Sequence, residues 1–489
     1  MLFKQIFDRK LAQYAYLIGC EQTGEALIID PERDIDRYVE TAETEGLDIV
    51  AVAETHIHAD FLSGAREFAE RFGTRLYLSD EGDADWKYEW AGARGDDPTA
   101  YDAVFLKDGQ TFAVGNIEIE AVHTPGHTPE HLSFLVTDRG GGATTPIGIA
   151  TGDFVFVGDL GRPDLLEQAA GLHGVQEPAA RRLFGSLPTF TRLQDHLQVW
   201  PAHGAGSTCG KTLGAVPTTT VGYEKRYNAS LGVAADGESA FVDAILAGQP
   251  EPQMYFARMK RHNKQGAPVL GRLPRPRKLT VRELGEAAER HDVLIVDTRI
   301  DRAAFMDHHV AGSLHAPMNR NFNTVVGSLV VDEATPLVLI IDKGDVEEAV
   351  RDLVRIGYDH VDGYADAATL QRYLGQDGAG ERIETILFAD VQELLESSDV
   401  LPLDVRFASE FDEAHITGAV HAPYTRLPEY VNDRIPRDQT LLVYCGTGAR
   451  SAAASAFLAR EGYDVKHVDG AFADYVRTGA VGHREPAAT

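Results

Sequence analysis

A chain of 489 residues has room for two to four domains, and its 46 Lys and Arg against 75 Asp and Glu leave a net charge of −29. That charge argues against nucleic acid as a partner. No apolar run reaches the roughly 18 residues of a membrane span, and Met1–Asp8 carries charge too early for a signal peptide. Three cysteines, at 20, 209 and 445, make no disulfide framework, so the expectation is a soluble protein of the reducing cytoplasm.

In chain order, the first β run, Tyr16-Leu17-Ile18-Gly19, ends on Cys20, which is expected to be a small core residue. A second run, Ile49 to Ala53, leads into Glu54-Thr55-His56-Ile57-His58-Ala59-Asp60-Phe61. The two-residue spacing predicts that His56 and His58 lie on one side of a tight strand-to-loop turn, facing one ion. Three further apolar runs end on single ligand types. Ile117 to Val122 precedes His123-Thr124-Pro125-Gly126-His127-Thr128, Ile147 to Thr151 precedes Gly152-Asp153, and Val199-Trp200 precedes Pro201-Ala202-His203. Four ordered ligand-bearing ends of β runs are hard to obtain by chance and predict a metal site. Arg162, in Gly158-Asp159-Leu160-Gly161-Arg162-Pro163-Asp164, reads equally as a loop cation paired with Asp159 or Asp164 and as a contact to the active-site loop or a substrate anion. Cys209 sits on a Gly-rich loop six residues after His203. It is either an incidental thiol or a sulfur acceptor whose thiolate Lys211 would favour.

These words resemble the metallo-β-lactamase superfamily, whose signature is H-x-H-x-D-H followed by single His, Asp and His ligands. Phe61 stands where that signature has its last His, which weakens a dinuclear site and favours a mononuclear one. Within the superfamily, the stretches around His56, His127, Asp153 and Arg162 look like persulfide dioxygenases, relatives of the glyoxalase II thioesterases. The resemblance covers roughly the first 245 residues. It implies an αβ/βα sandwich in which His56, His127 and Asp153 hold Fe(II), the two-His, one-carboxylate set of O2-activating iron. His58, Asp60 and His203 would then orient ligands and water, or serve as alternative ligands. The implied reaction takes a small-molecule persulfide and O2 to sulfite and a thiol.

Residues 246–278 are Pro-rich and basic, without apolar periodicity, and are expected to be an ordered or semi-rigid linker. Beyond it, an internal repeat emerges. Ile295-Val296-Asp297-Thr298-Arg299 parallels Leu403-Asp404-Val405-Arg406, and His309-Val310-Ala311-Gly312 to Pro317 parallels His415-Ile416-Thr417-Gly418 to Pro423. In the second copy the buried run Leu441 to Tyr444 meets Cys445-Gly446-Thr447-Gly448-Ala449-Arg450-Ser451 and then a helical stretch. Strand, Cys loop and helix converge backbone N–H groups and a helix N-terminus on one sulfur, stabilising a thiolate or persulfide. The C-x4-R spacing is one residue shorter than in phosphatases with a similar cradle, and the loop resembles rhodanese, a sulfurtransferase. In the first copy, the run Leu337 to Ile341 leads to Asp342 where the thiol is expected. Asp342 is a suitable N-cap but cannot carry sulfane sulfur, and no Arg matches Arg450.

The fold class expected is therefore α/β multidomain. A metallo-β-lactamase sandwich (1–245) precedes the linker (246–278), an inactive rhodanese-like domain (279–375) and an active one (383–480), both with parallel sheets. The expected function is an Fe(II) persulfide dioxygenase joined to a sulfurtransferase. Cys445 and Arg450 are catalytic, and Gly446, Thr447, Gly448, Ala449 and Ser451 form the cradle. Sulfite or thiosulfate is the product, and homo-oligomerisation stays open. The alternatives are a glyoxalase II-like Zn thioesterase fused to a sulfurtransferase, and a metal domain that only binds, leaving Cys445 as the sole catalyst.

Overall fold

The computed structural model describes residues 1–92, 100–165, 174–397, 399–431, 433–477 and 481–482. Two compact units result. The first comprises Met1–Gln249, Phe256–Arg272 and Val354–Gly357, and the second Pro250–Tyr255, Leu273–Leu353 and Tyr358–Thr489.

The first unit contains two six-stranded sheets. One runs in the order β1 (Leu2–Asp8), β2 (Gln13–Cys20), β3 (Glu25–Ile29), β4 (Asp48–Ala53), β5 (Arg75–Ser79) and β6 (Ala103–Leu106). It is antiparallel through β3 and parallel from there on. The other is built from β7 (Thr111–Val114), β8 (Ile117–His123), β9 (Leu132–Asp138), β10 (Gly148–Gly152), β11 (Gln198–Pro201) and β12 (Thr219–Thr220). Successive side chains of a strand point to opposite faces, so a strand apolar at every position must be covered on both. Tyr16, Ile18, Leu27 and Ile29 meet Ile119, Ala121, Phe134 and Trp200 between the sheets. Leu17, Ile28, Val52 and Leu76 face helices Asp36–Thr44 and Ala65–Phe72, through Tyr38, Ala42 and Phe68. Ile149 and Val199 face helices Gln176–Thr191 and Glu238–Leu246, through Leu183, Phe190 and Phe241. The result is the expected αβ/βα sandwich. Cys20 lies in its central core, as expected.

The stretch read as a linker is not linker throughout. It carries helix Phe256–Gln265, which is part of the first unit. Its apolar side is short (Phe256 and Met259 buried) and its remaining residues are mostly charged or polar, so no long periodicity announced it.

In the second unit two five-stranded parallel sheets have one topology. The order is β13 (Arg277–Lys278), β17 (Val361–Ala365), β16 (Leu337–Ile340), β14 (Leu294–Asp297), β15 (Leu314–His315), and correspondingly β18 (Glu384–Leu387), β23 (Val465–Asp469), β22 (Thr440–Tyr444), β19 (Val400–Asp404), β21 (Val420–His421). Details recur too. Arg299 grips Asp297 as Arg406 grips Asp404. His315 bonds the Arg299 carbonyl as His421 bonds that of Arg406. The register corrects one expectation. Asp297 pairs with Ile340 where Asp404 pairs with Tyr444, so the position equivalent to Cys445 is Ile341 and Asp342 corresponds to Gly446. Nor does Asp342 cap through its side chain; the 3-10 turn Lys343–Asp345 has no side-chain cap bond.

Candidate metal centre and sulfur cradle

Every ligand candidate of the first unit follows the C-terminal end of a strand: His56 after β4, His127 after β8, Asp153 after β10 and His203 after β11. His56, His127 and Asp153 are buried, and one donor atom from each lies within 4.8 Å of the others. His127 Nε2 is 3.3 Å from Asp153 Oδ2. Both imidazoles turn Nδ1 outward. The Thr55 hydroxyl donates to Asp30 Oδ2 (2.8 Å) and so accepts from His56 Nδ1 (2.9 Å). His127 Nδ1 donates to the Arg162 carbonyl (2.9 Å). These bonds fix the tautomers and leave Nε2 as the inward donor. Both Asp153 carboxylate oxygens are buried without a hydrogen-bond partner, which is costly unless a cation takes them up. Burial pushes the Asp153 carboxyl up to about 6 and the His127 imidazole down to about 4. The residues present therefore fit a single divalent ion with two imidazoles and a carboxylate.

His58 does not share this ion's face, contrary to the spacing argument. Its Nε2 lies 3.2 Å from Asp30 and 3.1 Å from Glu54. Burial pulls its imidazole down, but the two carboxylates outweigh that and raise it well above its ordinary value. Phe61 is buried and its ring packs 4.4 Å from that of His58, an apolar wall where the signature has a ligand. Asp60 and His203 group instead with Cys209, their donor atoms within 4.8 Å of one another. His203 Nε2 is 3.3 Å from Asp60 and 3.4 Å from Asp153, and its Nδ1 is held at the Ala12 carbonyl.

Cys209 is thus at the metal centre, but the proposed help from Lys211 is absent. The ammonium bonds the carbonyls of Ala244 and Ala247. Burial, reinforced by Asp153 and Asp60, pushes the Cys209 thiol well above its ordinary range. Arg162 is engaged within the fold. Its guanidinium is fully buried, bidentate to Asp164 (2.8 and 2.6 Å) and bonded to the Thr208 carbonyl (3.0 Å). It ties the loop before Cys209 to the loop that orients His127.

Sequence reasoning missed four supporting residues. His131 Nε2 accepts from the Asp153 backbone N–H (3.0 Å), and its Nδ1 donates to Thr124 (2.8 Å). A Cβ on Gly152, whose φ is +51°, would stand 2.6 Å from that Nε2, so the residue before Asp153 must be glycine. Glu130 accepts from the Ile57 N–H (2.8 Å), between the two histidines. Asn263, in the supposed linker, donates to the carbonyls of His58 (2.9 Å) and Phe61 (2.7 Å) and accepts from the Ser63 N–H (2.9 Å). Asp30 adopts φ +50°, unusual for a non-glycine residue, and accepts from both N–H and hydroxyl of Thr55. Only the Asp type just after a β run (Asp30) could have been suspected from the chain.

In the second unit, Cys445 immediately follows β22 and is fully buried. Its Sγ receives the Gly448 N–H (3.2 Å) and the Ser451 hydroxyl (3.4 Å). Helix Ala449–Arg460 begins immediately after Gly448, placing its positive end toward the sulfur. Arg450 is bidentate to Glu410 (2.6 and 2.7 Å). Burial pushes the Glu410 carboxyl up, but the hydrogen bond and charge of Arg450 hold it below its ordinary value. In the first repeat the matching positions are Ile341, Val346 and Ala304, so thiol, cation and carboxylate are missing together.

The first unit pairs two sheets with donor residues at strand ends, and the second holds a cysteine loop between a strand and a helix. The metallo-beta-lactamase superfamily description matches residues 8–193 and the rhodanese-like domain description residues 387–478. The chain is 39% identical to a solved metallo-beta-lactamase from Staphylococcus aureus subsp. aureus COL, covering 75% of this chain and 99% of that one with a TM-score of 0.65. It is 26% identical over 209 residues to the mitochondrial persulfide dioxygenase ETHE1 of Bos taurus (42% of this chain, 68% of that one). It is 24% identical over 208 residues to a probable polyketide biosynthesis zinc-dependent hydrolase, BaeB, of Bacillus velezensis (42% and 80%). The chain belongs to the metallo-beta-lactamase superfamily and carries a rhodanese-like domain. No helix among the described residues is long and apolar enough to cross a membrane.

Proposed function

We propose that the chain is a persulfide dioxygenase joined to a sulfurtransferase, oxidising a small-molecule persulfide with O2 to sulfite and, through Cys445, giving thiosulfate. The observation that carries this is the donor set: two imidazoles and one carboxylate, with Phe61 where a dinuclear centre would place a further His. Likeness to a persulfide dioxygenase and a rhodanese-like domain in the same chain supports it. His56, His127 and Asp153 hold the metal, and Fe(II) bound there would supply O2 activation. Thr55 and the Arg162 carbonyl keep Nε2 of each imidazole turned inward. Phe61 adds a buried apolar wall beside His58. Oxidation of R-S-S⁻ consumes O2 and water and releases R-SH, sulfite and a proton. At the second centre the Cys445 thiolate takes the outer sulfur of a second R-S-S⁻ as its S–S bond breaks and R-S⁻ leaves, and the Gly448 N–H and Ser451 hydroxyl stabilise the anionic sulfur of the Cys445-S-S⁻ formed. Sulfite attacks the outer sulfur, the S–S bond breaks, and thiosulfate leaves with Cys445 as thiolate.

A zinc hydrolase is the second reading, favoured by the grouping of Asp60, His203 and Cys209 beside the first donor set. Metal analysis of protein purified without added metal separates the two. One iron per chain, with O2 uptake on a persulfide panel (glutathione, coenzyme A, bacillithiol and hydrogen persulfides), supports the first. Two zincs and no O2 uptake support the second.

A further inference from the structure

The repeat without a cysteine reaches into the neighbourhood of the sulfur cradle. Arg302 opens helix Arg302–Asp307 of the first repeat, and its guanidinium pairs with Asp469 Oδ1 at 2.7 Å. Asp469 ends β23 of the second repeat, and the same oxygen accepts from the Gly470 N–H (2.8 Å). The segment around Asp469 latches the cradle at both ends. The Phe472 N–H donates to the Gly446 carbonyl (3.0 Å), and the Ser451 hydroxyl that reaches Cys445 also lies 3.4 Å from the Val468 carbonyl.

Gly448 is the point where these parts meet. It donates to Cys445 Sγ from a left-handed conformation, φ +86°. A Cβ there would stand 2.2 Å from Asp469 Oδ1 and 3.1 Å from the Arg302 guanidinium carbon. The guanidinium therefore packs against the turn that presents the N–H to the sulfur. Arg450, the cradle's own cation, is already committed to Glu410. Among the described residues, Arg302 is the ion-pair partner of Asp469.

We infer that the cysteine-less repeat completes the sulfurtransferase centre, with Arg302 as a positioning residue that holds Asp469 and the Gly448 turn in the geometry that receives anionic sulfur on Cys445. Arg302 touches neither sulfur nor substrate; it acts through Asp469 and Gly448. A repeat that lost its own thiol, arginine and glutamate would keep this one arginine for its neighbour's benefit.

The sulfur-loading readout rests on the proposed sulfurtransferase function, so the first readout is independent of it. Deuterium uptake by the peptide spanning Cys445 to Ser451 should rise in Arg302→Met, with other peptides of the second unit unchanged. Sulfur loading from thiosulfate, followed as mass gain on Cys445, should slow by about tenfold to a hundredfold, the scale of misplacing a reacting group. Arg302→Lys should restore loading only in part, because an ammonium keeps the charge but not the flat face. Asp469→Asn should loosen the same peptide and add little to Arg302→Met. Unchanged deuterium uptake in the loop, or additive effects of the two substitutions, overturns the inference. If wild type takes up no sulfur on Cys445, the sulfurtransferase reading fails while loop exchange still decides the bracing role.

Discussion

Asn263 offers the sharpest test of how the metal loop is held. One buried carboxamide satisfies the carbonyls of His58 and Phe61 and the N–H of Ser63. Asn263→Ala strands two buried carbonyls and one half-buried amide. An unsatisfied buried polar group costs about 1–3 kcal/mol, carbonyls at the low end, so a loss of about 3 kcal/mol is expected. For a unit of this size each kcal/mol lowers the midpoint by about 2–4 °C, a fall of roughly 10 °C in the first unit's transition. Because this loop, His58 to Ser63, follows His56 directly and carries Asp60, metal affinity should drop by about tenfold or more, the usual penalty for losing an outer support. Asn263→Asp gives the signed control. At neutral pH a carboxylate would face two carbonyl oxygens, so this near-isostere should be worse than alanine. The difference should close as pH falls and the carboxyl gains a donating proton. Differential scanning fluorimetry and metal analysis by plasma mass spectrometry read both effects. An alanine variant with wild-type melting and metal content, or an aspartate variant milder than alanine, would refute the reasoning.

Four further outcomes are expected. His127→Ala and Asp153→Ala should each leave the protein folded but without bound metal, since three protein ligands give no redundancy; full occupancy in either overturns the donor set. Cys445→Ser should stop sulfur transfer from thiosulfate to cyanide, spare O2 uptake, and shift products from thiosulfate toward sulfite under limiting persulfide; an unchanged ratio places thiosulfate formation elsewhere. Ile341→Cys sets a thiol at the register of Cys445 in the first repeat, yet mass spectrometry should find no sulfur on it, because Val346 and Ala304 stand where Arg450 and Glu410 would be. The Arg450–Glu410 pair should also set an acid limit. A carboxyl held below its ordinary value stabilises the fold above its unfolded pKa and loses that contribution as pH falls through its folded one. Sulfur loading should therefore fall in acid, and Glu410→Gln should lower it at neutral pH while flattening the acid limb.

The candidate residues of both centres were legible in the chain, because those signals are local. A ligand after each apolar run and a thiol between strand and helix need only a few adjacent residues, and the strand periodicity places them at strand ends. The repeat was legible for the same reason: the Asp297–Arg299 and Asp404–Arg406 pairs each span two residues of sequence. Tertiary structure alone decided which donors face one another. His56 and His58 are two residues apart, yet Asp30 and Glu54 engage the Nε2 of His58 while His56 groups with His127 and Asp153. Asn263 and Arg302 act across the fold on loops far from them in the chain, and no local pattern can encode a partner whose position depends on how the chain closes. The register error at Asp342 has the same origin. Alternation says a strand ends nearby, but only hydrogen bonding to the next strand says at which residue.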